Sequence, residues 1–181
     1  MREEIFSDEE IVDLVSSGRT ELFGVIIKRY EKKLLRYSRK FLSDYEDIRD
    51  IVQEIFLKTY KNINSFDKKR SFSPWIYRIA HNELVNVLKK KKRSPISLNL
   101  DVFLPYFYSE NTPESEIERK QTKEAVEKCL YNLPLKYREP IILYYFEDLS
   151  YQEISEILKI PVSTVGVRIK RAKDIIKKHY E

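Results

Sequence analysis

The densest group of side chains that could bind a metal or transfer a proton is a set of carboxylates in the first third of the chain. Asp47, Asp50 and Glu54 recur at i, i+3 and i+7, so a helix would place them on one face. A two-metal nuclease site needs acids from several elements, and His81 and His179 lie in basic surroundings. We interpret the carboxylates as a solvated or partner-facing stripe, with a magnesium-dependent nuclease as the alternative.

Signatures of enzymes are missing from the rest of the sequence. It contains no Gly-rich phosphate-binding loop, no metal-spaced Cys/His set and no nucleophile–base pair. We therefore predict a protein that is not an enzyme, with no catalytic residue, no metal site and no cofactor.

A second stripe combines an aromatic ring, a guanidinium, amides and an ammonium. It consists of Trp75, Arg78, Asn82, Asn86 and Lys89, at i, i+3, i+7, i+11 and i+14. The ring can stack on a base, the amides can read base edges and the cations can bind phosphates. This pattern indicates a DNA-binding helix, although Trp75 is also a candidate for the core of a helical bundle.

The loop that precedes this stripe is also basic. Lys68, Lys69 and Arg70 follow Phe66 and lie close in sequence to the stripe. The run of cations from 89 to 93 is either a solvated helix end or a further set of phosphate contacts.

The last forty-five residues have the pattern of a helix-turn-helix. An apolar run ends at Phe146, and Ser150 and Glu153 form a capping box for a short helix. Pro161 interrupts the pattern before Ser163, which can cap a final helix with six basic residues and one acid. A basic second helix of this kind enters the DNA major groove in many transcription proteins. The alternative is a basic hairpin that packs only on itself.

Bulk composition fits a charged helical protein with a polyanionic partner. The 181 residues are 42% hydrophobic and 35% charged, with three glycines, a net charge of +5 and a pI near 9.1. The single cysteine, Cys129, excludes an internal disulfide and suits a reducing compartment. Without a signal peptide or an apolar stretch of membrane-spanning length, we expect a soluble, cytoplasmic chain with no membrane insertion.

Apolar spacing predicts an all-α fold of two small helical bundles joined by an extended linker. Candidate helix starts in the first bundle, residues 1–93, are Ser7, Thr20, a capping box at Ser43, and Ser73 with Pro74. Residues 94–112 hold two prolines and nine apolar residues, which is too apolar for an ordinary flexible linker. Residues 113–181 then form the helix-turn-helix domain.

Six segments resemble bacterial sigma factors of the extracytoplasmic-function (ECF) group, in that family's order and spacing. They are Asp50–Lys58, Trp75–Asn82, Leu133–Pro134 with Tyr137–Glu139, Leu149–Ile154, Ile160–Val165 and Arg168–Ala172. The resemblance covers nearly the whole chain. It implies a factor that binds core RNA polymerase and directs it to promoter DNA. A stand-alone helix-turn-helix regulator is the alternative.

The resemblance also implies roles for individual positions. It implies contact with the polymerase clamp for Asp47, Asp50, Gln53 and Glu54. It implies contact with the minus-ten element, including capture of a flipped base, for Lys68, Lys69, Arg70, Trp75, Arg78, Asn82, Asn86 and Lys89. Recognition of the minus-thirty-five element is implied for Ser163, Thr164, Val167, Arg168, Lys170 and Arg171. The family further implies that the linker threads through the polymerase and that an anti-sigma factor is a partner.

The final helix departs from the family pattern where base specificity is expected. Gly166 and Val167 follow the Thr-Val pair, in place of the cation and serine of many relatives. Neither side chain can donate a hydrogen bond. We therefore expect upstream recognition to depend on phosphate contacts from Arg168 and Arg171 and on DNA shape.

Overall fold

The computed structural model describes residues 6–90, 130 and 132–178, which fall into two compact units, Met1–Ser94 and Pro95–Glu181. The helices of the first unit are α1 (Asp8–Ser16), α2 (Phe23–Arg39), α3 (Tyr45–Lys61) and α4 (Phe72–Lys90), with 3-10 turns at Thr20–Leu22 and Ile63–Ser65. Those of the second are α5 (Leu135–Phe146), α6 (Tyr151–Leu158) and α7 (Val162–Lys178). Every regular element in these described ranges is helical, which confirms the all-α prediction.

The first unit is a bundle in which α2 packs on α3 and α3 packs on α4. Each helix contributes an apolar face at the spacing that the sequence shows. The fully buried residues include Ile26 and Leu34 of α2, Ile55 of α3, and Ile76 and Ala80 of α4. Burying these faces holds the opposite, polar faces of α3 and α4 toward solvent.

The start and end of α1 follow from local sequence. The Ser7 hydroxyl accepts the Glu10 N–H at 3.2 Å, and the Glu10 carboxylate accepts the Ser7 N–H at 2.7 Å. This capping box confirms the helix start predicted at Ser7. After the helix, Gly18 adopts a left-handed φ of 106° and Arg19 donates its N–H to the Leu14 carbonyl at 3.0 Å. Glycine accepts this conformation at no steric cost, so it turns the chain toward α2.

Three predicted helix starts are wrong in the first unit. Asp44, not Ser43, caps α3, because its carboxylate accepts the Asp47 N–H at 3.0 Å. A 3-10 turn occupies the position predicted for the start of α2 at Thr20. Helix α4 begins at Phe72, so Ser73 lies inside its first turn and is not its cap.

The second unit forms the predicted helix-turn-helix, with α6 and α7 packed on each other and α7 packed on α5. Ile154 and Ile157 of α6 are buried, as are Val165, Ile169 and Ile176 of α7. The Ser150 capping box is confirmed, with the Glu153 N–H donated to the hydroxyl at 3.3 Å and the Ser150 N–H donated to the Glu153 carboxylate at 2.8 Å. Ser163 does not cap α7, because Pro161 precedes the helix and its carbonyl accepts the Thr164 N–H at 2.9 Å.

Several predictions lie outside the described residues: the extended linker at 94–112, the first part of the predicted domain at 113–181, and the end of the cationic run at 91–93. Among the residues that are described, no helix combines the length and apolarity needed to cross a membrane.

Candidate nucleic-acid interface

The acidic stripe of α3 divides between two sides of the helix. Asp50 and Gln53 are exposed and line an open groove between α2 and α3, with a volume of about 1270 Å³. Glu54 is also exposed but lies beside Lys58, at 3.6 Å, and Lys58 bridges to Glu83 of α4 at 2.7 Å. The Glu83 carboxylate, at hydrogen-bonding distance, raises the pKa of Lys58, so this lysine stays cationic between the two helices. Asp47 is half-buried.

Sequence reasoning missed the apolar part of this groove. Leu57 and Tyr60 are 47% and 41% exposed and line the groove together with Asp50 and Gln53. The Tyr60 ring packs at the edge of Phe23 with centroids 5.1 Å apart. The signal was present in the spacing, since Leu57 follows Asp50 by seven residues and Tyr60 follows Gln53 by seven. The groove therefore combines carboxylate, amide and apolar groups.

An aromatic cluster lies at the start of α4, and we define it as Phe66, Phe72 and Trp75. The Phe66 and Trp75 rings are 5.3 Å apart, and each lies 5.6 Å from the fully buried Phe72. Trp75 is half-buried. Its packing in the cluster supports the core interpretation, and its partial exposure leaves ring surface for a base.

Beyond this cluster, the polar stripe of α4 faces solvent. Asn82, Asn86 and Lys89 are exposed along one line, and Arg78 is half-buried between them and Trp75. Leu84 and Ala80, on the opposite face, are buried in the bundle. A rigid helix thus presents two amides and an ammonium in register with a partly exposed indole ring.

The basic loop before α4 is exposed, and acidic residues of the first unit engage two of its cations. Lys68 pairs with Asp13 of α1, and Arg70 pairs with Asp67 within the loop at 3.6 Å. Asp67 also accepts the Lys69 N–H at 3.0 Å. These exposed pairs are worth roughly 0–1 kcal/mol each and weaken with salt. Phosphate groups can therefore displace the acids at little cost.

The candidate recognition residues on α7 form a single solvent-facing side. Ser163, Val167, Lys170 and Arg171 are exposed, whereas Thr164 and Arg168 are half-buried. Arg171 also contacts Tyr137 of α5, and the resulting hydrogen bond lowers the pKa of the Tyr137 phenol. The helical pattern of α7 does not reveal this tertiary contact.

The turn between α6 and α7 is held without glycine. Lys159 adopts the left-handed conformation at φ 52°, which costs a non-glycine residue about 1–2 kcal/mol. Gly166, which departs from the family pattern, lies under the Tyr151 ring, and a Cβ placed there would lie 3.4 Å from that ring. That distance is an ordinary van der Waals contact.

No group of three or more His, Cys, Asp and Glu side chains is positioned to hold a metal ion within residues 6–90, 130 and 132–178.

Comparison with known proteins gives consistent matches in both units. The sequence profile of Sigma-70 region 2 matches residues 26–94, and that of Sigma-70 region 4 matches residues 123–175. The chain is 33% identical over 171 residues to ECF RNA polymerase sigma factor SigW of Bacillus subtilis, covering 91% of each chain. It is 34% identical over 181 residues to the ECF RNA polymerase sigma-E factor of Haemophilus influenzae, covering 96% of this chain and 95% of the relative.

Two solved structures have a similar fold. CnrH in complex with the cytosolic domain of CnrY superposes with a TM-score of 0.70 at 23% identity, over 94% of this chain and 95% of that chain. The sigma factor RpoE of Bartonella quintana, in complex with the anti-sigma factor NepR, gives 0.65 at 18% identity, over 87% and 96%. The sequence identities and the two matched regions together establish that this chain belongs to the ECF RNA polymerase sigma factors.

Proposed function

We propose that this protein binds core RNA polymerase through α3, opens the minus-ten element with α4 and the loop before it, and binds the minus-thirty-five element with α7. It acts in the cytoplasm and contributes specificity to the polymerase without a catalytic site of its own. Family membership supports the overall function, and the surfaces described above support the assignment of each step to a helix.

The exposed line from Trp75 to Lys89 is the observation that carries the proposal. Double-stranded DNA binding needs cations and groove-reading groups, but a partly exposed indole beside amides suits an unstacked base. The indole stacks on the base, the Asn82 amide reads its Watson–Crick edge, and Lys89 binds phosphate. A stand-alone helix-turn-helix regulator would leave this surface of the first unit without a role.

The groove between α2 and α3 supports polymerase binding. Asp50 and Gln53 supply polar groups and Leu57 supplies exposed apolar area, a mixture typical of protein–protein contacts rather than of DNA contacts. The carboxylates would repel a phosphate backbone. They therefore suit a basic or amide-rich protein partner.

Reconstituted transcription with purified core polymerase tests the assignment by separating two steps. Asn82→Ala should slow promoter opening and leave polymerase affinity unchanged. Asp50→Ala and Glu54→Ala should weaken polymerase binding, while complexes formed at saturating concentration open promoters normally. Normal opening by Asn82→Ala would refute the base-capture assignment, and normal polymerase binding by both acidic variants would refute the assignment of polymerase binding to α3.

The alternative of an independent regulator has a direct test. Specific binding of the purified chain to a duplex operator at nanomolar concentration, without polymerase, would favour it. We expect instead that the chain binds promoter DNA specifically only within the polymerase complex.

An anti-sigma factor is included as a proposed partner, because RpoE, of similar fold, was solved in complex with the anti-sigma factor NepR. A protein of this class that occupies the α2–α3 groove should compete with core polymerase. Asp50→Ala and Leu57→Ala should then weaken both complexes.

A further inference from the structure

We infer that Glu9 of α1 is a positioning residue for promoter opening, because it fixes the first residue of α4 and with it the aromatic cluster. This inference rests on the proposed role of α4 in opening the minus-ten element. It extends that role to α1, although no residue of α1 belongs to the polar stripe of α4.

The central contact is long-range and involves a charged acceptor. The Glu9 carboxylate accepts the Phe72 N–H at 2.8 Å, across 63 residues of sequence. The first four N–H groups of a helix have no acceptor within that helix. A carboxylate there gains from both the hydrogen bond and the positive end of the helix dipole. Glu9 thus accepts a backbone N–H in the first turn of α4 from another helix, whereas Ser7 and Ser150 do so for α1 and α6 from the adjacent sequence.

A second chain of hydrogen bonds holds α1 in place for this contact. Asp8 accepts the Tyr30 hydroxyl at 2.6 Å and pairs with Arg29 at 2.7 Å, both on α2. The Tyr30 ring in turn packs on the ring of Phe72, the first residue of α4, with centroids 5.5 Å apart. The start of α4 is therefore fixed from α1 directly and through α2.

Phe72 transmits its position to the DNA-facing side chains. Its ring is fully buried, 5.5 Å from Tyr30 and 5.6 Å from both Phe66 and Trp75. A shift of the Phe72 backbone would move this ring, and the close-packed neighbours would have to follow. Trp75 packs on Phe72, so the orientation of its ring depends on Phe72. Trp75 is also the member of the cluster with exposed ring surface.

The neighbouring ion pair contributes less. Asp13, one turn after Glu9 on α1, pairs with Lys68 of the basic loop, but the two side chains are 51% and 58% exposed. Solvent and salt screen such a pair. Glu9 is the residue on which the inference depends, because its bond is partly buried and orders backbone rather than a mobile side chain.

Preorganisation gives this contact a functional consequence. A loop and ring that are ordered before DNA arrives do not lose conformational freedom during base capture. Loss of the Glu9 bond should therefore slow promoter opening and leave the α2–α3 groove, which binds polymerase in our proposal, unchanged.

Three variants of the full chain separate positioning from general stability. Glu9→Ala removes the acceptor, Glu9→Gln keeps an acceptor oxygen without the charge, and Glu10→Ala is the matched control, since Glu10 caps α1 at Ser7. Each is assembled with core polymerase, and promoter opening and polymerase affinity are measured separately. Hydrogen exchange of the Phe72 amide in the free chain reports the contact without reference to function.

We expect Glu9→Ala to increase Phe72 amide exchange and to slow promoter opening roughly tenfold, which is the loss of one charge-assisted hydrogen bond. Polymerase affinity should stay within about twofold of wild type, and Glu9→Gln should recover most of the opening rate. Glu10→Ala should leave both Phe72 exchange and opening unchanged.

Normal opening by Glu9→Ala, despite faster Phe72 exchange, would overturn the positioning role. Equal losses of opening in Glu9→Ala and Glu10→Ala would also overturn it, by assigning the effect to the stability of α1. Asn82→Ala run in parallel distinguishes these results from failure of the proposed function. If Asn82→Ala opens promoters normally, the proposal that α4 captures a base is wrong, regardless of how Glu9→Ala changes exchange of the Phe72 amide.

Discussion

Ser155 of α6 binds Ile160 of the following turn through both its hydroxyl and its backbone. The hydroxyl donates to the Ile160 carbonyl at 2.6 Å, and the Ser155 carbonyl accepts the Ile160 N–H at 3.2 Å. These two bonds span Lys159, which is held in the left-handed region at φ 52°. The pair fixes the direction in which the chain enters α7, and hence the direction of its exposed face.

Removing the Ser155 hydroxyl should destabilise the second unit. Ser155→Ala leaves a part-buried carbonyl without its side-chain donor, and the expected loss is about 1 kcal/mol of unfolding free energy. Hydrogen exchange of the buried Ile157 and Ile169 amides measures this locally, since the single tryptophan lies in the first unit. Ser163→Ala, at an exposed position, is the control and should change exchange little. Unchanged protection in Ser155→Ala would show that the turn does not need this bond.

The left-handed turn residue offers a stabilising substitution. Lys159→Gly removes the steric cost of φ 52°, and we expect a gain of about 1 kcal/mol. The gain is reduced by the greater entropy that glycine has in the unfolded chain. Chemical denaturation monitored by second-unit amide exchange checks this. A loss of stability would mean that the Lys159 side chain stabilises the fold by more than its left-handed conformation destabilises it.

Replacement of Gly166 by alanine tests whether that glycine is needed for packing. A Cβ at this position would make an ordinary 3.4 Å contact with the Tyr151 ring. Helix propensity then dominates, and Gly166→Ala should stabilise α7 by up to about 1 kcal/mol. Destabilisation would instead show that the Tyr151 ring cannot shift to make room for the added Cβ. In that case Tyr151→Ala combined with Gly166→Ala should recover the lost stability.

Arg171 should contribute to upstream binding through phosphate rather than base recognition. Arg171→Ala should weaken polymerase-dependent binding to different upstream sequences by a similar factor, and reduce the slope of log K against log salt by about 0.9. Salt titrations on several upstream variants measure both quantities. Val167→Ala is the control on the same face, and should leave the salt slope unchanged. A loss confined to one base position in Arg171→Ala would contradict phosphate binding.

The Tyr137–Arg171 contact predicts a specific pH dependence. Arg171 stabilises the phenolate of Tyr137, so the pKa of the Tyr137 phenol in the folded protein lies below the ordinary value of 10.0. A group with a depressed pKa stabilises the fold only where it is ionised, so this contribution is absent at neutral pH. It should grow as pH rises through the folded pKa toward 10.0.

Ultraviolet titration of the phenolates checks the Tyr137 prediction. Tyr137→Phe identifies the early-titrating group, and Arg171→Ala should shift that titration toward the ordinary range, with Lys136 retaining part of the effect. A spectrum unchanged by Arg171→Ala would show that the contact is not maintained in solution.

Sequence reasoning predicted two helix starts correctly, at Ser7 with Glu10 and at Ser150 with Glu153, where donor and acceptor lie three residues apart. At α3 the same spacing misled it, because Ser43 and Asp44 are adjacent candidates and Asp44 is the cap. It failed at Ser73 because the acceptor for the start of α4 is Glu9, on a different helix. No local pattern carries that pairing.

The candidate surfaces also divide into residues whose exposure the sequence predicted and residues whose exposure it did not. Helical spacing alone predicted that Asn82, Asn86 and Lys89 share one line, and they are exposed along it. Spacing places Leu57 and Tyr60 on the same face as Asp50 and Gln53, but it could not show that the two apolar side chains are exposed, because apolar residues in a helical repeat are ordinarily assigned to the core. Their exposure depends on how α2 packs against α3.

The most direct test of the proposed function is run-off transcription by purified core polymerase on a promoter library, with and without this protein. We expect the wild-type chain to direct initiation from a defined set of promoters, and Asn82→Ala to bind polymerase equally well but to open those promoters more slowly. Initiation that is the same with and without the protein would show that it is not a promoter-specificity factor.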